Sequence, residues 1–456
     1  MPVAPGRLAP RLHEAATRPV SSASVAFLRM AFGVGMVVNT LLYLPVLVRD
    51  YYVDTSFHFS YGPLTFVQPL PGAGMYLVYV AMGITGVLIA LGRWYRWAAA
   101  AFFVLTTYVF LIDSTFFQNH EYLISLLALL LAVLPGIDGR WSLDVERHPE
   151  RRRSTVPAWV VWLLRFQVGV PYFFGGIAKL NGDWLRGEPL RAWLASRTDI
   201  GWLNGLLTND GVVWFMAHGS LVLDLVVVWL LLHRRTRVPA YVVVTGFHLL
   251  NVWLFGLFIF PWLMIAATTI FFDPSWPERA LARWRSPAAE APPRPEPAAG
   301  GRVRRLSPLL VGALGLWVAL QVLLPLRHLT VAGSPSWTEE HHRFSWHMKL
   351  RDKRGDVTYV VTAADGRTWR VDPAEQLSPK QAYRLSGHPE RLVHFARHLS
   401  AQHGGAEVRA ETSVSLNGRR PQPIVDPTVD LASQPVLWWG PADWILPLEE
   451  PLRRSD

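Results

Sequence analysis

The 456-residue chain contains no cysteine, which excludes a disulfide framework, a thiolate metal site, an iron–sulfur cluster and a thiol nucleophile or base. Charge is also scarce. Only 17% of the residues are Asp, Glu, Lys or Arg, against about 25% in an average soluble domain. The excess of 44 Lys and Arg over 34 Asp and Glu therefore does not describe a nucleic-acid binder. No phosphate loop, Ser-His-Asp order, dinucleotide fingerprint or internal repeat is present. What is abundant is apolar: 51% of the residues are hydrophobic, 21 of them Trp, and the mean hydropathy is positive. That composition points to lipid as the solvent and excludes disorder, collagen and coiled coil. Proton transfer in such a chain falls to His, Lys, Tyr or carboxylates.

Nine segments are apolar enough to cross a hydrocarbon layer of roughly 30 Å, with shorter helices tolerated inside a bundle. They cover residues 25–48, 75–91, 97–112, 121–135, 159–179, 212–232, 238–255, 257–272 and 306–326. The seventh and eighth could instead form one long span with a re-entrant piece. Alternate loops differ in cation content. Arg7, Arg11 and Arg18, then Arg93 and Arg96, then Arg140, Arg147 and Arg151 to Arg153, then Arg234, Arg235 and Arg237, and finally the arginines of 273–305 fall on one side. Residues 49–74 and 113–120 are poor in cations, and those of 180–211 are balanced by acids. Positive loops stay inside, so the N-terminus is expected in the cytoplasm and the C-terminus outside. The first 24 residues lack an apolar core, so the first span is expected to serve as an uncleaved anchor.

The expected fold is a polytopic α-helical membrane protein of about nine transmembrane helices with a small, mainly β, α+β extracytoplasmic C-terminal domain. Residues 1–24 form a cytoplasmic segment and 25–272 a transmembrane core of about eight helices. Residues 273–305, with the stretch SPAAEAPPRPEPAAGG, form a flexible Pro/Ala/Arg-rich cytoplasmic linker. The last membrane helix covers 306–326 and the outer domain 327–456. Alternation in that domain predicts strands at 356–362, 368–371 and 408–416, with a helix at 389–403.

Ionisable groups within or at the lip of membrane helices commonly mark function. Asn119 and His120 open the fourth helix at its outer end, where free backbone N–H groups favour developing negative charge; a capped, interfacial helix entry is the other reading. Lys179 ends the fifth helix after the aromatic and Gly-rich run Pro171 to Ala178, which includes Tyr172. Held in an apolar pocket, a lysine is a usable base; at a helix end it is also a snorkelling anchor. His248, about 10 Å inside the outer end of the seventh helix at 1.5 Å per residue, shares a polar stripe with Asn251, which serves a pocket or an inter-helix hydrogen bond equally well. Arg29 and Asp224 are further buried charges, each expected to pair with a neighbour. His328, His341, His342 and His347 follow no ligand spacing, and no metal is expected.

Several segments together resemble the vitamin K-dependent gamma-carboxylase family, within the wider group of HTTM-type membrane proteins. They are Pro69-Leu70-Pro71 with Met75 to Tyr79, Asp113 with Asn119-His120 and Tyr122, Lys179-Leu180 with Asp183-Trp184, and Phe247-His248 with Asn251 and Leu254-Phe255. The likeness continues through Ser275-Trp276-Pro277, Trp337-Thr338, Phe344-Ser345-Trp346 and Asp426-Pro427 with Val429-Asp430. Order and spacing carry it, over most of the chain.

The resemblance implies oxygenation of reduced vitamin K, or menaquinol, to its epoxide with O2. It couples this to addition of CO2, supplied as bicarbonate, at the γ carbon of glutamate in a peptide or protein. It implies Lys179 as the base, His120 with Asn119 near the glutamate or CO2, and His248, Asn251 and Tyr172 in the quinol pocket. The implied partners are the peptide, the lipid bilayer and the membrane quinone pool, with no nucleic acid. The C-terminal region is much shorter than in animal members, so an epoxidase without efficient carboxylation is an alternative; a non-catalytic transport or assembly protein is another. High Arg, Ala, Gly and Pro usage suggests a bacterial plasma membrane, with the active site on the extracytoplasmic side.

Overall fold

The structure is a computed structural model and describes residues 8–45, 47–197, 201–285, 306–331, 333–436 and 442–452. Among the described residues, nine apolar helices account for the nine segments read from the sequence. Seven of them are long and apolar enough to span a membrane: α1 (Ala23–Tyr43), α2 (Gly74–Leu91), α3 (Tyr95–Ile112), α5 (Ala158–Ala178), α6 (Asp210–Leu232), α7 (Arg237–Phe255) and α9 (Pro308–Leu326). Two are shorter, α4 (Asn119–Val133) and α8 (Ile259–Thr268).

The helix ends follow local chemistry. Helix α2 stops at Gly92, whose left-handed φ of 64° lets its N–H reach back to the last carbonyls. Asn209 caps α6 by accepting from the N–H groups of Gly211 and Val212, and Ser307 caps α9 with Pro308 following at the first turn. Gly256, at φ 58°, breaks the apolar run between α7 and α8, so the two are separate helices rather than one long span. The first helix ends at Tyr43, five residues earlier than its hydropathy predicts.

Helices α1 and α2 approach at glycine: a Cβ on Gly33 would lie 2.5 Å from the backbone nitrogen of Ala90. This contact also explains Arg29. Its guanidinium donates to the carbonyls of Ile89 at 2.5 Å, Ala90 at 2.9 Å and Trp141 at 2.5 Å. The expected partner is thus a set of helix-end carbonyls, and the charge serves to close the end of α2. Helix α5 is the most enclosed of the spans and forms the axis about which α6, α8 and α9 pack.

The C-terminal module contains a three-stranded antiparallel sheet of order β2-β1-β3, built from β1 (Lys353–Thr362), β2 (Thr368–Val371) and β3 (Glu407–Leu416). Alternation places Val357, Tyr359 and Val361 of β1 and Val408, Ala410, Val414 and Leu416 of β3 inward. Helices α10 (Pro379–Leu385) and α11 (Pro389–Gln402) cover the sheet. The module is fastened to the helical loops. Phe59, from the loop between α1 and α2, is buried in the module's core. Gln381 donates to Asp113 Oδ2 at 2.9 Å, and Arg419 donates to both carboxylate oxygens of Asp183 at 2.6 Å.

The segment expected as a flexible linker opens differently. Residues Trp276–Arg285 form a helix, which packs on α1; positions 286–305 lie outside the described residues.

Candidate functional site

Helix α5 carries Gly175 and Gly176 in its last turn. A Cβ on Gly176 would sit 2.8 Å from the Leu225 side chain and 3.0 Å from its backbone nitrogen, so glycine is what allows α6 to lie this close. The consequence appears one turn on. Lys179, whose N–H closes α5 onto the carbonyls of Gly175 and Gly176, turns its side chain inward, where it is only 6% exposed. Its Nζ donates to Oδ2 of Asp224 on α6 at 2.6 Å. The rings of Trp184 and Phe247 stand 5.3 and 5.6 Å from the same nitrogen. The two candidate charges that the sequence treats separately are therefore one buried pair.

This pair lies in the wall of a cavity of about 380 Å³ between α5, α6, α7 and α8. Tyr172, His248 and Asn251 line it too, together with apolar side chains such as Phe215 and Phe260. Tyr172 Oη is hydrogen-bonded to His248 Nε2 at 2.7 Å and to Thr268 Oγ1 at 3.0 Å, and His248 is 2% exposed. Asn251 donates to the carbonyl of Phe247 at 2.9 Å. Four of the six site residues expected from sequence, Lys179, Tyr172, His248 and Asn251, thus share one chamber, with Asp224, Ser220 and Lys349 as further polar groups.

The other two stand apart from it. Asn119 and His120 are the first residues of α4. His120 faces the Phe260 ring with centroids 6.1 Å apart, and His248 faces the same ring at 6.0 Å, so Phe260 contacts both imidazoles. Asn119 donates to the carbonyl of His347 at 3.1 Å, while its Oδ1 is buried without a partner.

Sequence reasoning missed the segment that Asn119 touches. Between residues 339 and 349, Glu339, His341, Phe344, Trp346 and Lys349 all have left-handed φ values between 52° and 65°. Non-glycine residues hold such conformations only where surrounding contacts over-determine them. Trp346 is fully buried and packs on Tyr122 at 5.2 Å. The segment walls two cavities at once. Met348 and Lys349 line the chamber of Lys179, while His342, Arg343 and Arg351 to Lys353 line a polar recess of about 250 Å³ shared with Arg384, His388, Glu390 and Arg391.

The recess is cationic. Glu339 accepts from Lys353 Nζ at 2.9 Å and pairs with Arg351. Burial pushes the Glu339 carboxyl up, but Arg351 and Lys353 outweigh it and hold the group well below the usual carboxylate range. Burial pushes the Lys353 amine down to about 8 against the pull of Glu339, and holds His342 and His388 well below the usual imidazole range. Arg343 pairs with Glu390. His342 Nε2, His388 Nδ1 and Arg391 Nε are buried there without partners, which is the signature of a polar ligand or water. The available signal was the run of cations from Arg343 to Lys353; the sequence reading weighed its histidines as metal ligands and took Phe344-Ser345-Trp346 only as part of the family likeness.

Residues 17–276 match the HTTM domain, and residues 306–451 match the lumenal domain of vitamin K-dependent gamma-carboxylase. No solved structure matches the chain.

Proposed function

Because the chain belongs to the vitamin K-dependent gamma-carboxylase family, we propose that it oxygenates a membrane quinol, reduced vitamin K or menaquinol, and couples this to addition of CO2 at the γ carbon of peptide glutamate. The observation that carries the reading is the Lys179–Asp224 pair in the wall of a mainly apolar chamber. Apolar walls suit a naphthoquinol head, and the polar groups are few and convergent.

Oxidation of the quinol by O2 supplies a base far stronger than any side chain, which is what removal of the glutamate γ-hydrogen demands. The protein's part is proton handling, positioning and exclusion of water. Lys179 takes the quinol hydroxyl proton. Asp224, 2.6 Å away, takes the proton that Lys179 otherwise carries, so that the neutral amine accepts from the quinol and the ammonium then formed is balanced by the quinolate in the low-dielectric site. Tyr172 and His248, bonded to each other, orient the second quinol oxygen. The cationic recess seats the carboxylates of the peptide, and His120, which packs on Phe260 without lining the chamber, serves CO2 addition. The same reading puts the C-terminal module and both cavities on the extracytoplasmic side of a bacterial plasma membrane, opposite the arginine-rich loops.

The test supplies purified protein with reduced vitamin K, O2, bicarbonate and a Glu-containing peptide, and quantifies epoxide and carboxylated peptide separately. Both products are expected from the wild type and neither from Lys179→Ala. Both products persisting in Lys179→Ala rejects the assignment, and epoxide without carboxylated peptide in the wild type reduces the activity to that of an epoxidase.

A further inference from the structure

We propose that the groove between α5, α6 and α9 binds an anionic diacyl phospholipid, with one acyl chain along the groove and the phosphate among Arg165, Arg234, Arg235 and Arg237. The groove has a volume of about 540 Å³ and is walled by Trp162, Phe166, Phe173, Trp229 and Val322, with Arg165 as its single charged lining residue. It is separate from the chamber of Lys179. Residues 162, 166, 169 and 173 share one face of α5 by helical spacing, whereas Tyr172, Gly175 and Lys179 share another. Trp162 is 40% and Trp229 62% exposed, so the groove opens sideways from the bundle, where acyl chains surround the protein.

Its basic end supplies the second half of the argument. Arg165 Nε donates to Ile270 O at 2.9 Å and its Nη2 to Phe272 O at 2.8 Å, which satisfies hydrogen bonds but brings no counter-charge. Asp273, which acts on Arg165 through space, is itself held by Arg279 at 3.1 Å. Leu232 lines the groove, and the turn that follows it carries exposed Arg234 and Arg235. Arg237 then donates to the carbonyls of Leu231 and Leu232 at 2.8 and 3.0 Å. Among the described residues none of these four arginines has an ion pair with an acid. An apolar slot ending on four guanidinium groups, none of them directly paired with an acid among the described residues, fits a lipid phosphate ester. A quinone head, being neutral, would leave those charges unanswered, and a zwitterionic head would compensate them in part.

The experiment uses full-length protein in neutral detergent, titrated with phosphatidylglycerol or phosphatidylcholine, with bound lipid counted by native mass spectrometry. The wild type is expected to retain phosphatidylglycerol with roughly tenfold preference, on the scale of several arginines acting on one anionic head. In the double variant Arg234→Gln/Arg235→Gln the preference should vanish while the melting temperature in lipid-free detergent stays unchanged. Val322→Trp, which fills the groove without altering charge, should lower retention of both lipids. Equal retention of the two lipids by wild type overturns the proposal, as does a preference that survives the double variant, or phosphatidylglycerol retention untouched by Val322→Trp. None of these readouts depends on the reaction proposed above.

Discussion

Lys179 and Asp224 come from different helices, 45 residues apart, and meet at 2.6 Å with both side chains buried. An ion pair in such a place is weak evidence for stability, because desolvation offsets most of the attraction, yet removing one partner is costly. The proposed function assigns the pair a role in proton transfer. Asp224→Asn should lower epoxide formation by about 10²- to 10⁴-fold, the usual range for loss of general acid–base participation, and destabilise the protein by about 3–5 kcal/mol. Lys179→Met/Asp224→Leu should recover most of the stability and none of the activity. Thermal unfolding alongside epoxide assays checks both; an Asp224→Asn protein with ordinary turnover would remove the carboxylate from the proton path.

Gly176 sets the spacing that makes this pair. An added methyl would press on Leu225, whose backbone nitrogen is only 3.0 Å away, so Gly176→Ala should cost about 1–3 kcal/mol as an overpacking change and reduce epoxide formation by displacing Asp224. Gly182→Ala is the control, since nothing lies within 4 Å of its added carbon. Equal melting temperatures for the two variants would show that α6 is not held where the structure has it.

Glu339 should give the C-terminal module an acid limit. Its folded-state carboxyl is held below its ordinary value by Arg351 and Lys353 against the opposing effect of burial. An unfolded chain then binds more protons as pH falls, so the stability this group contributes is fully present above about pH 4.5, the ordinary glutamate range, and is lost as pH falls towards the depressed value. Lys353 acts with the opposite boundary. Its amine, pushed down to about 8, binds fewer protons folded than unfolded between about pH 8 and 10.5, so stability from this group rises across that window. Unfolding followed against pH should show wild type and Glu339→Gln fully separated above about pH 4.5 and converging as pH falls below it; curves that stay parallel throughout would assign the acid limit to other groups.

His120 and His248 should separate the two half-reactions. His248 shares the chamber with Lys179, whereas His120 packs on Phe260 without lining that chamber. His120→Ala is expected to cut carboxylated peptide by about 10²-fold while epoxide formation continues; His248→Ala should reduce both products together. A His120→Ala enzyme that loses both in proportion would place its role before oxygen chemistry rather than after it.

The helices were legible because a spanning segment must satisfy its own backbone and face lipid, which writes long apolar runs into the sequence. The strands of the module were legible through alternation, down to the inward Val357, Tyr359 and Val361. Lys179 and His248 stood out because charge is rare in such runs. Their relation was not legible: the Lys179–Asp224 contact depends on how closely α5 and α6 approach at Gly176, which is a property of packing. Arg29 looked like half of an ion pair and instead closes carbonyls, an acceptor set every sequence possesses. The 339–353 segment escaped because left-handed φ values at Glu339, Phe344 and Trp346 have no compositional signature without glycine, and its cations meet acids only after the chain turns back. The helix at Trp276–Arg285 was obscured by the proline-rich stretch that follows it.

Met348 and Lys349 belong to the C-terminal part yet wall the chamber embedded among the helices, and Phe59 makes the reverse crossing into the heart of the sheet module. Each half therefore completes the other's interior. A chimaera exchanging the last third between relatives would inherit a chamber with a foreign side and a sheet with a missing plug, so compensating substitutions at both crossings should travel together through descent.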